Sequence, residues 1–337
     1  MRTGKDLIDA SRPFATEDRA RSWLHLIVTI VVLAAATTGA AMAPSAIVRV
    51  GLAIVSGLTI VRMFALYHDF MHGAILRGSG VARAIFYVYA LLALTPPRVW
   101  RETHNYHHAN TAKLVGSHVG SYAMVSTAMW SRMTPSARLQ YRLVRHPLTI
   151  LFGYVTIFLV GMGIRPFLRS PRKNWDSAVS VVLHAATVFV LWRFFGVEML
   201  LFTYLLPLCL ATAVGGYLFY AQHNFPGVFV QPRESWSYTE AALHSSSFMK
   251  MGPVLRFFTA NIGYHHVHHL LAQIPFYRLP EAMAALPELH DPPTTSFAPG
   301  EVLACFRLKL WDADLGQMVG YPRPRDQAAR SAPRLAS

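Results

Sequence analysis

Four stretches of the chain are long and apolar enough to cross a membrane, and they constrain the fold more than any other feature. The hydrocarbon core of a bilayer requires about 20 consecutive apolar residues of helix. Residues 24–43, 46–66, 178–196 and 199–221 meet this requirement. Charged residues make up only 14% of the chain, against about 25% in a typical soluble domain. We therefore expect an all-α integral membrane protein with four transmembrane helices.

Histidines form four clusters, and each lies at or beyond the end of an apolar stretch. The chain has 16 histidines and two cysteines, so metal chemistry here has to rely on imidazole. The clusters are His68-x-x-x-His72, His104-x-x-His107-His108, His223 directly after the fourth apolar stretch, and His265-His266-x-His268-His269. Repeated clusters of this kind predict a metal site at one end of the membrane helices.

The spacing within the clusters predicts which imidazoles can share a metal ion. Residues i, i+3 and i+4 of a helix are neighbours on one face, so His68 and His72 can bind one ion together. His107 and His108 diverge by about 100° around a helix axis, so they can address two different ions. The nine candidates exceed the four ligands of a tetrahedral zinc site and suit two ions with four or five ligands each. They are His68, His72, His104, His107, His108, His223, His265, His268 and His269.

The type of metal is less constrained than the number of ions, because imidazole binds zinc, copper, iron and nickel. The Glu-x-x-His motif of soluble di-iron proteins and the His-Glu-x-x-His motif of metalloproteases do not occur in the sequence. An all-nitrogen di-iron site at the membrane face fits best.

Other polar residues near the clusters are weaker candidates for a role at the metal site. His266 does not follow the ligand spacing, and His244 is the alternative to His223 as ninth ligand. Asp69, Asn105 and Asn261 are candidates for orienting ring nitrogens, although simple loop polarity explains them equally well. The isolated histidines are expected to be satisfied structural residues; they are His25, His118, His146, His184 and His290. The span glycines Gly51, Gly57, Gly215 and Gly216 can allow close approach of helices or of an acyl chain, but ordinary span glycines are the favoured interpretation.

Two shorter apolar stretches, 81–95 and 148–164, are expected to insert only partly. An even number of crossings must separate His108 from His223 if both reach one site, and three apolar stretches lie between them. The basic run 165–173 follows 148–164 directly and favours the cytosolic side by the positive-inside rule. The stretch 148–164 is therefore expected to be re-entrant or interfacial.

The remaining segments complete the predicted organisation. Residues 1–22 form a cytosolic N-terminal segment, 23–285 the membrane domain with a cytosolic helical cap carrying the histidines, and 286–337 a cytosolic C-terminal segment ending in a mobile tail. The net charge of +14 comes from basic residues that flank apolar stretches, so nucleic acid is not an expected partner.

Three histidine boxes on four membrane spans resemble the membrane-bound fatty acid desaturases. The segments HDFMHGAI, RETHNYHHANT, QHNFPG and NIGYHHVHHL followed by IPFYRLPE carry the resemblance, which covers about residues 20–285. The last segment is similar to the acyl-lipid desaturases that act at mid-chain or methyl-end positions. Front-end desaturases have Gln where this chain has His265 and often a fused cytochrome b5 domain, so a front-end enzyme is disfavoured.

The resemblance implies a non-haem di-iron centre, molecular oxygen as co-substrate and a separate ferredoxin or cytochrome b5-type electron donor. It implies eight ligands in the three boxes and His223 as a ninth. The expected reaction is formation of a cis double bond in a lipid-linked or carrier-linked acyl chain, in a bacterial inner membrane. The alternatives are a di-iron hydroxylase or ketolase acting on a fatty acid, alkane or carotenoid and, in another class, a zinc-binding membrane transporter.

Overall fold

Helices make up most of the protein in its computed structural model, which describes residues 2–322. The α-helices are α1 (Gly4–Ser11), α2 (Arg19–Met42), α3 (Ala46–Met71), α4 (Gly80–Leu92), α5 (Pro97–Asn110), α6 (Thr127–Arg132), α7 (Pro135–Val144), α8 (Pro147–Leu151), α9 (Arg165–Arg169), α10 (Trp175–Val190), α11 (Gly196–Leu200), α12 (Leu206–Ala221), α13 (Tyr238–His244), α14 (Pro253–Phe258), α15 (His265–Leu270), α16 (Leu279–Ala285) and α17 (Pro299–Arg307). The predicted mobile tail lies outside the described residues from position 323 onward.

The other regular elements are short. Wider π-helical turns occupy Tyr154–Ile164, Leu191–Phe195 and Leu201–Leu205, and 3-10 turns occupy Arg12–Ala15, Arg233–Ser235 and Pro287–Leu289. Strand β1 (Phe248–Lys250) pairs in parallel with β2 (Thr294–Ser296), and β3 (Leu310–Asp312) pairs antiparallel with β4 (Gln317–Val319). These two-stranded ribbons lie outside the membrane helices, so the all-α prediction for the membrane part is confirmed.

Three helical stretches of residues 2–322 are long and apolar enough to cross a membrane. They are α2, α3 and the run of helical turns from Trp175 to Ala221. The predicted spans 24–43 and 46–66 fall on α2 and α3. The predicted partial insertion 81–95 falls on α4, which is bent by 92° against α5; the two together would count as a further, broken span. The stretch 148–164 forms α8 and the π-helical turn Tyr154–Ile164.

The run from Trp175 to Ala221 folds back on itself at Gly196. Gly196 has φ +88°, a conformation that glycine adopts at little cost. The Nδ1 atom of His184 lies 2.8 Å from the hydroxyl of Tyr204, whereas 20 residues of straight helix would separate these positions by about 30 Å. The two arms therefore form a hairpin, and the predicted spans 178–196 and 199–221 lie on its two arms.

Helix α3 lies between α2 and α12 and approaches α12 closely. A Cβ atom on Gly57 would lie 2.9 Å from the carbonyl oxygen of Pro207 and 2.9 Å from Leu210. The same helix carries Arg62, a buried cation that the span prediction did not explain. Its guanidinium donates to the hydroxyl of Thr29 at 3.0 Å and to the carbonyl of Phe257. These contacts satisfy a charge that would be costly among apolar helices.

Both terminal segments pack against the end of the bundle where α3 terminates. The backbone N–H of Asp18 donates to the hydroxyl of Tyr277 at 2.9 Å, and that of Leu76 donates to the carboxylate of Glu17. Arg2 forms an ion pair with Glu288 at 2.9 Å. The N-terminal segment and residues 276–288 therefore belong to one cap, which also contains the histidine clusters.

Candidate metal centre and acyl cavity

The structure brings all nine predicted histidines together at the end of α3 and α12. They form two groups, and within each group the candidate ligand nitrogens lie within 4.8 Å of one another. The first group consists of His68, His72, His104, His108 and His268, and the second of His107, His223, His265 and His269. The groups adjoin, because the rings of His108 and His269 stack with centroids 4.2 Å apart.

Helix α5 contributes to both groups through its 3.6-residue period. His104 and His108 are one turn apart and their Nε2 atoms lie 3.0 Å from each other in the first group. His107 points into the second group, where its Nε2 atom lies 3.0 Å from that of His223. The angular divergence of adjacent helical residues therefore separates the groups, as the spacing predicted.

Helix α15 repeats this division with the groups exchanged. His265 and His269 are one turn apart in the second group, with Nε2 atoms separated by 3.2 Å. His268 faces the first group, where its Nε2 atom lies 3.2 Å from that of His108. Two short helical segments, 160 residues apart in sequence, thus each supply ligands to both groups.

The first histidine cluster occupies the C-terminal turn of α3, and Asp69 holds one of its rings. The carboxylate of Asp69 lies 3.2 Å from Nδ1 of His68 and accepts a 2.7 Å hydrogen bond from the backbone N–H of Phe276. An ionised carboxylate accepts only, so with Asp69 ionised Nδ1 of His68 carries the proton and Nε2 presents its lone pair to the group. The Nε2 atom of His72 is buried and has no hydrogen-bond partner among the described residues.

His223 follows α12 directly, and its orientation provides a test of whether the groups suit a cation. Its Nδ1 donates to the carbonyl of Ser245 at 3.1 Å, which leaves a lone pair on Nε2. That atom faces the Nε2 atoms of both His107 and His265, at 3.0 and 2.9 Å. Nitrogens converging at such distances, with the opposite ring nitrogen already donating, form a donor set that fits a metal ion.

Burial keeps these imidazoles in the form that binds metals. Loss of water holds the pKa of His265, His268 and His269 well below its usual value, and the neighbouring imidazoles lower the pKa further. The rings are therefore neutral at pH 7, which leaves a lone pair for a metal ion.

Several residues named from the sequence lie elsewhere. His266 is buried outside both groups, with Nε2 3.3 Å from the carbonyl of Leu289. His244 is half-exposed beside Glu240 at 3.5 Å, also outside both groups. Asn105 is exposed. Asn261 donates to the carbonyl of Phe276 at 3.1 Å and thus supports the loop that Asp69 also binds.

The isolated histidines divide into two kinds. His184 lies between two tyrosine hydroxyls and is a satisfied structural residue. His25 lies against Arg62 through Nδ1, but its buried Nε2 has no hydrogen-bond partner among the described residues. The other three are exposed, against the expectation of satisfied structural positions. His146 accepts from the first turn of α8, and His118 lies beside a cavity described below.

Sequence reasoning missed several residues that contact the two groups. The indole of Trp100 stacks on His104 with centroids 4.4 Å apart. Phe219 packs against His107 at 4.9 Å, and Thr111 lies 3.4 Å from Nδ1 of His269. Trp100 lies four residues before His104, and Thr111 lies three residues after His108. Helical spacing is therefore the signal that could have found both residues.

An apolar cavity of about 470 Å³ leads from the histidines into the helix bundle. Its walls include His68 and His104 of the first group and His265 of the second. One face of α12 forms a side of the cavity through Leu208, Ala211, Gly215, Phe219 and Gln222. Among the described residues that line it, Arg165 alone is a Lys, Arg, Asp or Glu. The cavity therefore suits an apolar chain with a polar end.

A helical protein with two adjoining histidine groups that could hold metal ions, at the mouth of an apolar cavity, fits the class of lipid-modifying membrane proteins. Residues 44–297 match the family model described as fatty acid desaturase. The chain belongs to the fatty acid desaturase family, and it is an oxidoreductase that desaturates fatty acids.

Characterised relatives agree with this assignment. The chain is 28% identical to a fatty acid desaturase of Bacillus subtilis (strain 168) over 281 residues, which cover 82% of this chain and 78% of that protein. It is 24% identical to the sn-1 acyl-lipid omega-3 desaturase (ferredoxin) of Nostoc sp. (strain 36), over 69% of this chain and 66% of that protein. It is 22% identical to the Delta(12)-fatty-acid desaturase of Arabidopsis thaliana, over 68% and 63% of the two chains.

Proposed function

We propose that the nine clustered histidines hold two iron ions, with which the protein introduces a cis double bond into a lipid-linked or carrier-linked acyl chain. The observation that carries the proposal is the junction of the apolar cavity with both groups, because His68, His104 and His265 all line it. An acyl chain in this cavity passes beside both candidate metal positions. Five imidazoles in one group and four in the other match the ligand number expected for two ions.

The residues of this chain prepare the site in three ways. Asp69 and the carbonyl of Ser245 fix the proton on Nδ1 of His68 and His223, so that Nε2 faces the metal position. The other histidine rings are buried and neutral, so they can supply the remaining ligands with no charge of their own to be balanced. The apolar walls exclude water and position two neighbouring methylene carbons near the histidines. Bound iron would supply the reduction of O2 to two water molecules. Two hydrogens would come from these carbons, one from each, and two electrons from the donor protein together with two protons from solvent.

Electrons come from a separate protein of the ferredoxin or cytochrome b5 type. The relative from Nostoc carries ferredoxin in its name, and this chain has a net charge of +14, which favours an acidic partner. The basic run 165–173 and the contacts of both terminal segments with the cap favour a cytosolic site and cytosolic termini. A bacterial inner membrane is the proposed location.

Replacement of one histidine from each group tests the site. His107→Ala and His268→Ala should each lower the iron content and abolish new double bonds in the lipids of an expressing host supplied with a matched ferredoxin. His290→Ala, an exposed position outside both groups, is the matched control and should retain iron and product.

Three outcomes would contradict the proposal. Full activity in either ligand variant would show that the histidine groups are not the reaction site. New hydroxyl or keto groups in the host lipids would instead indicate a hydroxylase or ketolase. One zinc and no iron in the purified protein would favour a zinc-binding transporter.

A further inference from the structure

Gly215 lies on the face of α12 that forms a wall of the apolar cavity. The lining residues on or just after α12 follow the i, i+3, i+4 spacing of one broad helical face; they are Leu208, Ala211, Thr212, Gly215, Gly216, Leu218, Phe219 and Gln222. Phe219 lies one turn further along, and its ring centroid is 4.9 Å from that of His107 and 5.9 Å from that of His223. The face therefore runs directly from the histidine groups into the bundle.

The helical rise along α12 gives the depth of each position. Gly215 precedes His223 by eight residues, or about 12 Å along the axis, and Leu208 precedes Gln222 by 14 residues, or about 21 Å. The cavity thus extends well beyond Gly215, to about two thirds of the roughly 30 Å hydrocarbon core of a bilayer. Gly215 therefore lies along the wall of the cavity between the histidine groups and its inner part.

Gly215 has room for a side chain, whereas Gly216, which also lines the cavity, and Gly57 are held close to neighbouring backbone. A Cβ atom on Gly215 would meet no atom of residues 2–322 within 4 Å outside its own helix backbone and chain neighbours, so a side chain there projects into open space. A Cβ on Gly216 would lie 2.9 Å from the carbonyl oxygen of Ile150, and one on Gly57 would lie 2.9 Å from that of Pro207. Gly51 also has open space around it, but it is exposed and does not line the cavity.

We propose that the missing side chain of Gly215 sets how much acyl chain the enzyme accepts on the methyl side of the reacting carbons. The methyl end occupies the inner cavity, since the charged lining residue Arg165 lies toward the α5 end. The carbonyl of the adjacent Pro166 accepts from Asn174, and the carbonyl of Lys173 accepts from Arg98 of α5. A larger residue at position 215 closes the cavity about 12 Å from the histidine groups. This inference rests on the proposed function, because it assigns the cavity to the acyl substrate.

The test compares Gly215→Leu with Gly51→Leu, the same change at a lipid-exposed position. Detergent-solubilised proteins are loaded with a fluorescent polyene fatty acid, which is then displaced by saturated fatty acids of graded length. Each methylene excluded from an apolar site weakens binding by about fourfold. Gly215→Leu should therefore lose affinity for the longer chains by roughly fifteenfold for two excluded methylenes, while short chains and Gly51→Leu bind as the unaltered protein does.

A second variant keeps the test decisive if leucine disturbs folding. Gly215→Ala adds one methyl group into open space and should shift the length preference in the same direction by a smaller factor. An unchanged length preference in a folded Gly215 variant that retains its iron would overturn the inference. The displacement assay measures fatty acid binding and needs no turnover. Failure of the proposed reaction would therefore be seen separately, as the absence of new double bonds in the lipids of the host.

Discussion

Asp69→Asn is the change that most directly tests how the protein orients a metal ligand. The carboxylate of Asp69 accepts from two sides: from Nδ1 of His68 at 3.2 Å and from the backbone N–H of Phe276 at 2.7 Å. An asparagine has one accepting oxygen and one donating NH2 group. If the oxygen keeps its bond to Phe276, the NH2 group faces His68 and favours the tautomer with the proton on Nε2.

That tautomer removes the lone pair that His68 presents to the first histidine group. Loss of a group that orients a ligand typically costs 10- to 100-fold in metal affinity, which is about 1.4–2.7 kcal/mol. The opposite amide orientation leaves the N–H of Phe276 buried without an acceptor, at a cost of about 1–3 kcal/mol. No orientation of the asparagine therefore preserves both the fold and the ligand.

Iron retention against a competing chelator measures the loss of metal affinity. The apparent melting temperature of the iron-free protein in detergent measures the loss of stability from the unpaired N–H of Phe276. Asp9→Asn, the same substitution at an exposed position, is the control. If Asp69→Asn resisted the chelator as well as the control did, with an unchanged melting temperature, the assigned role of Asp69 would be refuted.

Three further predictions concern the ninth metal ligand, a close helix contact and a buried lysine. His223→Ala should lower the iron content, whereas His244→Ala should not, because only His223 belongs to a histidine group; iron loss in the second variant alone would reverse the assignment. Gly57→Ala should destabilise the protein by about 1–3 kcal/mol, since its Cβ would lie 2.9 Å from Leu210, and a melting temperature equal to that of the parent would disprove the close contact. Burial lowers the pKa of Lys309 to about 8, below the value of about 10.4 in an unfolded chain. Between pH 8 and 10.4 the unfolded chain binds a proton that the folded chain has released, so the free energy of unfolding should rise with pH. Lys309→Met should abolish this rise. Melting temperatures measured across that pH range would reveal the difference.

The division of the histidines between two groups could be predicted because it depends on helix geometry within a few residues. His104 and His108 share a face whatever surrounds α5, and His107 has to point elsewhere. The membrane helices were predictable for a similar reason, because their length and apolar character are properties of continuous sequence. Arg62 was missed, since its partners Thr29 and Phe257 come from distant segments.

Local spacing therefore determined from the sequence alone that the chain carries membrane helices and two sets of imidazoles. Tertiary structure decided that His223 joins a group while His244 does not, and that Asp69 bridges His68 to Phe276, 207 residues beyond Asp69. It also decided that Gly215 faces a cavity while Gly57 faces a helix. The physical reason is that helical periodicity acts over one or two turns, whereas contacts between distant segments arise only when the helices pack together.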